Sequence, residues 1–239
     1  MEFDLGKWFG KSFNSTFEFK DLYNYVSSRT GYNEYVKSEK KYWTVDNEGK
    51  TVEFKFDDEF AKKITEIGYL NINKTSKFLL NMLIVYQSSI LEGIIKDCFK
   101  VIFLNDPVKL KFMNTKKDLE YSINLDTILK SKSKEDLIEL IAEDNAGICS
   151  SGKVKTVLRR LNELTGKKLD LEVLSRIENI IVRRNEIIHE LKELNIGIIE
   201  IETIHRRITD FLIDVSKYFI SIGICVYDPA SILPNEKCK

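Results

Sequence analysis

Residues 171–194, LEVLSRIENIIVRRNEIIHELKEL, decide how this chain is read. At about 100° per residue, Val173, Ile177, Ile180, Ile181, Ile187, Ile188 and Leu191 fall on one side, the repeat of a helix that turns one face to a core. The spacing predicts a single helix from Leu171 to Leu194. Arg184 lands in the middle of the apolar stripe. A guanidinium stays charged and is costly to bury alone, so it must meet a carboxylate on a neighbouring helix, a partner chain, or a cleft facing an anion.

His189 follows Arg184 with four residues between, and the chain has only two histidines. Asn185 stands one turn before His189 on the same face. Imidazole titrates near neutrality and serves as general base or acid, and the arginine fork matches a phosphate. Together they are what a metal-free attack on a phosphodiester needs. An ideal helix separates positions 184 and 189 by about 140°. Convergence therefore requires a cleft, an irregular turn or a symmetric dimer.

Arg184-Asn185-Glu186-Ile187-Ile188-His189 resembles the Arg-polar-x3-His motif of HEPN domains, and with Arg183 in front the string is most similar to the RiboL-PSP and MAE-type branch. An earlier segment, Ser89-Ile90-Leu91-Glu92-Gly93-Ile94-Ile95-Lys96-Asp97, resembles the first bundle helix of that branch, and a Lys/Ser-rich middle follows. The likeness covers roughly residues 74–222. It implies an antiparallel helical bundle, many of whose members are toxin or phage-defence ribonucleases. It also implies that His189 activates a ribose 2′-hydroxyl, that Arg184 stabilises charge on the phosphoryl oxygens, and that Asn185 orients the phosphate or the imidazole. Glu92 and Arg183 are supporting residues, with a structural salt bridge an equal role for Glu92. The expected partners are RNA, with tRNA among the candidate substrates, a second copy of the chain, and an antitoxin or defence-system protein. No metal or cofactor is expected. A non-catalytic bundle that dimerises or binds another protein, with Arg184 as its anchor, is the alternative.

The 239 residues, 43% hydrophobic and 31% charged, are the composition of an ordinary globular protein with a real core. The opening MEFDLGKWFGKSF interleaves charge with aromatics, so no secretory leader is expected and the chain is placed in the cytoplasm. The apolar run from Phe78 to Ile95 is broken by Asn81, Gln87, Ser88, Ser89 and Glu92 and is read as short of a membrane span. Cys98, Cys149, Cys225 and Cys238 lack the paired spacing of a zinc site or a disulfide framework. A formal net charge of zero excludes nucleic-acid binding by bulk electrostatics and requires a local patch. The candidate RNA-binding patch is Lys153, Lys155, Arg159 and Arg160, continued by Lys167 and Lys168 and opposed by Glu163; the alternative is a solvated helix face.

Three parts are expected: an aromatic-rich α+β extension over 1–72, the bundle over 73–226 and a loosely attached tail over 227–239. The extension holds a β-hairpin, residues 41–46 and 51–56 alternating across Asn47-Glu48-Gly49-Lys50. Asp46, Glu53 and Lys55 there resemble the Asp…Glu-x-Lys set of PD-(D/E)xK nucleases, a third reading with a metal-dependent mechanism. Alternation in a Lys/Glu-rich strand yields the same residues by chance.

In the bundle, Asn73 or Thr75 is expected to cap a helix ending at Asp106-Pro107. Ser133 caps the next, and Gly166 ends one over 154–164. The last runs from Glu200 to Val226. Gly147 to Lys153 matches GxxxxGK, but Val154 replaces the magnesium-binding hydroxyl and a helix precedes it, so a phosphate loop is rejected. His205, beside Arg206 and Arg207, is read as a surface histidine.

Overall fold

The computed structural model describes residues 1–32, 43–53, 58–115, 123, 125–169 and 171–233. It is mainly helical. Strand β1 (Phe3–Asp4) leads into α1 (Leu5–Ser27), and β2 (Trp43–Val45) and β3 (Thr51–Glu53) form a hairpin. Then come α2 (Asp58–Asn105), a 3-10 helix (Pro107–Thr115), α3 (Leu125–Lys130), α4 (Lys134–Ser150), α5 (Val154–Thr165), α6 (Leu171–His189), α7 (Ile198–Ser221) and β4 (Val226–Tyr227).

The axis of the bundle is α2, against which α1, α4, α6 and α7 pack. Leu80, Ile84, Leu91, Ile94 and Phe99 follow one another at three to seven residues, one or two helical turns, and are fully buried. The helix begins well before the expected cap. Thr75 donates instead to the Asn71 carbonyl one turn back, as a mid-helix threonine does. Asp106-Pro107 ends it as expected, because proline cannot continue the ladder. By length and composition this helix is apolar enough to cross a membrane, contrary to the expectation. Yet 56% of its most apolar window is buried inside the bundle, which fits the core helix of a soluble protein.

The N-terminal helix is not a separate layer. The division expected at 72/73 falls inside α2, and α1 lies between α2 and α7 with Leu5, Trp8, Ser12 and Thr16 buried. Trp8 Nε1 donates to Asp97 at 2.8 Å and its ring lies over Gly93, where an added Cβ would come within 2.6 Å of it. The C-terminal segment is also fastened. Val226 and Tyr227 pair in parallel with Phe3 and Asp4, and Asp228 accepts from the amides of Ile232 and Leu233, leaving Leu233 buried.

Several local readings hold. Ser133 accepts from Asp136 N at 3.0 Å to cap α4. Gly166, with φ 72°, ends α5 in the left-handed region that glycine adopts without strain. The hairpin forms with Trp43–Val45 paired to Thr51–Glu53, the outer residues of both expected strands lying outside the described residues. Gly49, φ 78°, supplies its left-handed turn position. The described β3 residues are exposed. The final helix stops at Ser221, earlier than expected, and Gly223 with φ 80° turns the chain into β4.

Candidate active site

The second helix to end early is α6. It closes at His189 rather than Leu194, with Lys192 N donating to Glu186 O at 3.1 Å and Leu191 in the left-handed region at φ 51°. Leu191 is therefore not on the buried stripe; it is 86% exposed, and Ile188 is also exposed. Ile177, Ile180 and Ile187 carry the packing against the core. The chain just beyond this end is held from elsewhere in the fold. Buried Asn81 of α2 donates to Leu194 O at 3.0 Å and accepts from Leu194 N at 2.9 Å, clamping that peptide against the bundle. In the sequence Asn81 is a polar break in an apolar run, and that was its signal.

This ending brings the three motif residues together. Arg184 Nη1 donates to Asn185 Oδ1 at 3.0 Å and stands 3.4 Å from His189 Nε2. The separation expected on an ideal helix is overcome because His189 is the last helical residue and the arginine arm is long enough to reach its ring. Arginine has no acceptor, so His189 Nε2 is the accepting atom and holds a lone pair there in the neutral ring. Asn185 and His189 are exposed and Arg184 is half-buried, so a phosphate can reach all three.

The supporting residues are placed differently. Arg183 forms an ion pair with Glu200 in the first turn of α7, joining the two helices rather than facing His189. Glu92 is exposed on α2 and makes no ion pair among the described residues, so it does not meet Arg184. A carboxylate in an exposed position gains little from a partner across the bundle and stays hydrated.

Of the basic patch, Arg160 is not available to a ligand. It is buried, and its Nη1 donates to the carbonyls of Cys149 at 3.1 Å and Ser151 at 2.7 Å, covering the C-terminal end of α4. The same contacts explain why Gly147–Lys153 is no phosphate loop: this segment offers carbonyl oxygens, the end of a helix that repels anions. Burial pushes the Cys149 thiol there up to about 11, against the lowering influence of Arg160. Lys153 and Lys155 are exposed at the start of α5, and Arg159 is exposed with Glu163 at 3.9 Å.

His205 is not a surface residue. It is half-buried on α7, ringed by Phe9, Phe13 and Phe17 with centroids 5.6–6.0 Å away, and its Nδ1 lies 2.9 Å from Ser12 Oγ. Gln87 of α2 fixes the direction of that bond. Its amide nitrogen donates to Ser15 Oγ, Thr16 Oγ1 and Ser12 O, so its oxygen faces Ser12 Oγ at 2.9 Å and must accept the hydroxyl proton. Ser12 then accepts from His205 Nδ1–H. Burial lowers the basicity of this imidazole. The signal missed in the sequence was the four-residue spacing of Phe9, Phe13 and Phe17, which puts all three on one edge of α1.

At the hairpin, Asp46 Oδ1 accepts from the amides of Glu48 and Lys50, both at 2.9 Å, so its carboxylate is engaged in shaping the turn. Glu53 is exposed on β3, and Lys55 lies outside the described residues. Among the described residues no three His, Cys, Asp or Glu side chains stand together as a metal site. Comparison of the chain with protein-family models, with curated proteins and with solved structures gives no match.

Proposed function

We propose that the chain is a cytoplasmic, metal-independent endoribonuclease of HEPN type, acting as a toxin or phage-defence effector. The observation that carries this reading is the meeting of Arg184, Asn185 and His189 at an exposed helix end. His189 Nε2 is the atom that takes the 2′-hydroxyl proton as the oxygen attacks the neighbouring phosphorus, and the P–O5′ bond breaks with the leaving 5′-oxygen taking a proton from solvent water. Arg184 meets the phosphoryl oxygens as their charge grows. Substrate must draw the guanidinium off Nε2 before the base can act, and a phosphate does this by offering Arg184 a better acceptor. The first products carry 2′,3′-cyclic phosphate ends, and DNA, lacking the hydroxyl, is not cut.

A second reading has its own observation. Phe78, Met82 and Tyr86 on α2, with Val182 and Leu191 in and beyond α6, are exposed apolar residues. Such residues suit contact with a second copy or another protein, whether or not the chain cuts RNA. A homodimer is part of the proposal.

The test is cleavage of total cellular RNA by the purified protein in EDTA, beside His189→Ala, with end mapping. Cuts that persist in EDTA, leave cyclic or 3′-phosphate ends and vanish in the variant support the ribonuclease. Cuts that need metal and ignore His189 move the chemistry to the hairpin. If neither protein cuts, the interaction module stands.

A further inference from the structure

The turn that follows α6 is strained. Leu191 stands two residues beyond His189 with φ 51°, a left-handed conformation that costs any residue with a Cβ. Its side chain is 86% exposed, so its own packing does not hold it there. Nor does the local sequence: Glu190-Leu191-Lys192-Glu193-Leu194 consists of good helix formers and would carry α6 on by more than a turn. Such a conformation persists only where the surroundings impose it.

Leu194 is where the chain is next held. In a continued helix its N–H would donate to the Glu190 carbonyl. Here it donates to Asn81 Oδ1 at 2.9 Å, and Leu194 O accepts from Asn81 Nδ2 at 3.0 Å. Asn81 is itself fixed, buried on α2 and donating also to Lys77 O. The Leu194 side chain packs on the core and Ile196 is buried in it, so packing anchors the segment while Asn81 holds its peptide. Lys192 N, bonded to Glu186 O, closes the turn back on the helix.

A continued helix would also change what His189 meets. Glu193 would stand four residues on, on the same face, its carboxylate beside the imidazole and drawing Arg184 away from it. In the structure Glu193 is exposed and makes no ion pair among the described residues, and Arg184 Nη1 stands at His189 Nε2. We propose that Asn81 is a positioning residue of the candidate site. By binding the Leu194 peptide it keeps residues 190–193 out of α6, which leaves His189 as the last helical residue with Arg184 at its ring. The effect on cleavage rests on the ribonuclease reading; the effect on the His189 ring does not.

The experiment uses the isotope-labelled full chain and two NMR signatures. The Cα shifts of 190–193 report helix, and the ring nitrogens of His189 report whether Nε2 carries the accepting lone pair. With two histidines in the chain, His189→Ala assigns the ring signals and the His205 ring monitors the fold. Asn81→Leu removes both bonds to Leu194 at similar volume. It is expected to turn 190–193 helical, to abolish the Nε2 signature while His205 stays as in wild type, and to lower kcat for RNA about 10²-fold, the effect of a displacement of about 1 Å. Adding Leu191→Gly, which weakens the helix and accepts a positive φ, should restore both signatures and the rate. A residue that only stabilised the fold would leave the His189 ring of the folded molecules unchanged.

Leu191→Val covers the case in which Asn81→Leu does not fold. Its site is exposed, and a β-branched residue tolerates a positive φ worst, so the turn should open and the Nε2 signature weaken with the core intact. A folded Asn81→Leu protein with both signatures as in wild type overturns the proposal. So does an Nε2 signature that Leu191→Gly fails to restore or that Leu191→Val leaves untouched. Signatures that respond as expected in a protein that cuts no RNA uphold the clamp and remove the ribonuclease reading. Cutting in EDTA at the same kcat by wild type and Asn81→Leu does the reverse.

Discussion

His189 ends α6 with its ring in solvent, whereas His205 sits within α7 among three phenylalanines and a serine. His205 is followed directly by Arg206 and Arg207 and His189 comes five residues after Arg184, yet only His189 has a guanidinium at its Nε2 among the described residues. At His205 the accessible chemistry is absorbed by packing: Nδ1–H is committed to Ser12, which is committed to Gln87. The difference lies in what surrounds each ring. A histidine that closes a polar network between helices contributes to folding, and one left at a helix end beside an arginine and an asparagine is free to meet a ligand.

The sharpest way to break this comparison is to remove each ring in turn. His189→Ala is expected to reduce RNA cleavage about 10²–10⁴-fold, the usual worth of a positioned general base, with an unchanged melting temperature. His205→Ala should lower the melting temperature and leave the cleavage rate per folded molecule near wild type. If His205→Ala stays folded and loses as much cleavage as His189→Ala, the roles assigned to the two residues are reversed.

The network on α1, α2 and α7 gives the next effect. Gln87→Leu leaves Ser12, Ser15 and Thr16 without the amide that joins them, two of these in fully buried positions. The expected cost is about 1–3 kcal/mol in urea denaturation. A smaller loss follows from Gly93→Ala, where the new methyl meets the Trp8 ring at 2.6 Å. Overpacking costs ~1–3 kcal/mol, and alanine returns ~1 kcal/mol through its better helix propensity. A Gly93→Ala protein more stable than wild type would show that α1 slides easily on α2, and that the His205 network does not fix the helices.

Elements whose stops are local were legible in the sequence. Ser133, Gly166 and Asp106-Pro107 each carry their own backbone chemistry, and α7 has an unbroken apolar face. The end of α6 carries no local stop residue: Glu190-Leu191-Lys192 contains neither glycine nor proline, and the chain just beyond it is held by Asn81, 113 residues before Leu194. Arg160 was misread for the same reason, since its partners are carbonyls of another helix end. Asn73 and Thr75 look like a helix start, but both lie within a helix that began earlier. Of the site, Arg184, Asn185 and His189 were visible as a spacing. Their contact was not, because it requires the early helix end.

The smallest effect concerns pH and separates the two rings by their protons. Burial favours the neutral form of His205, so its basicity is lower in the folded chain than in the unfolded one. The unfolded chain then binds more protons as pH falls through the ordinary histidine range near ~6.5. Stability is complete above that range, declines as pH drops through it, and levels off below the folded value. Carboxylates titrate lower, so the window just below ~6.5 isolates the histidine. Urea denaturation across that window should show wild type losing stability on acidification while His205→Asn does not, and His189→Ala should follow wild type. A slope that disappears in His189→Ala and persists in His205→Asn would mean that the proton-sensitive ring is the one at the end of α6, and that its contact with Arg184 is the interaction on which folding depends.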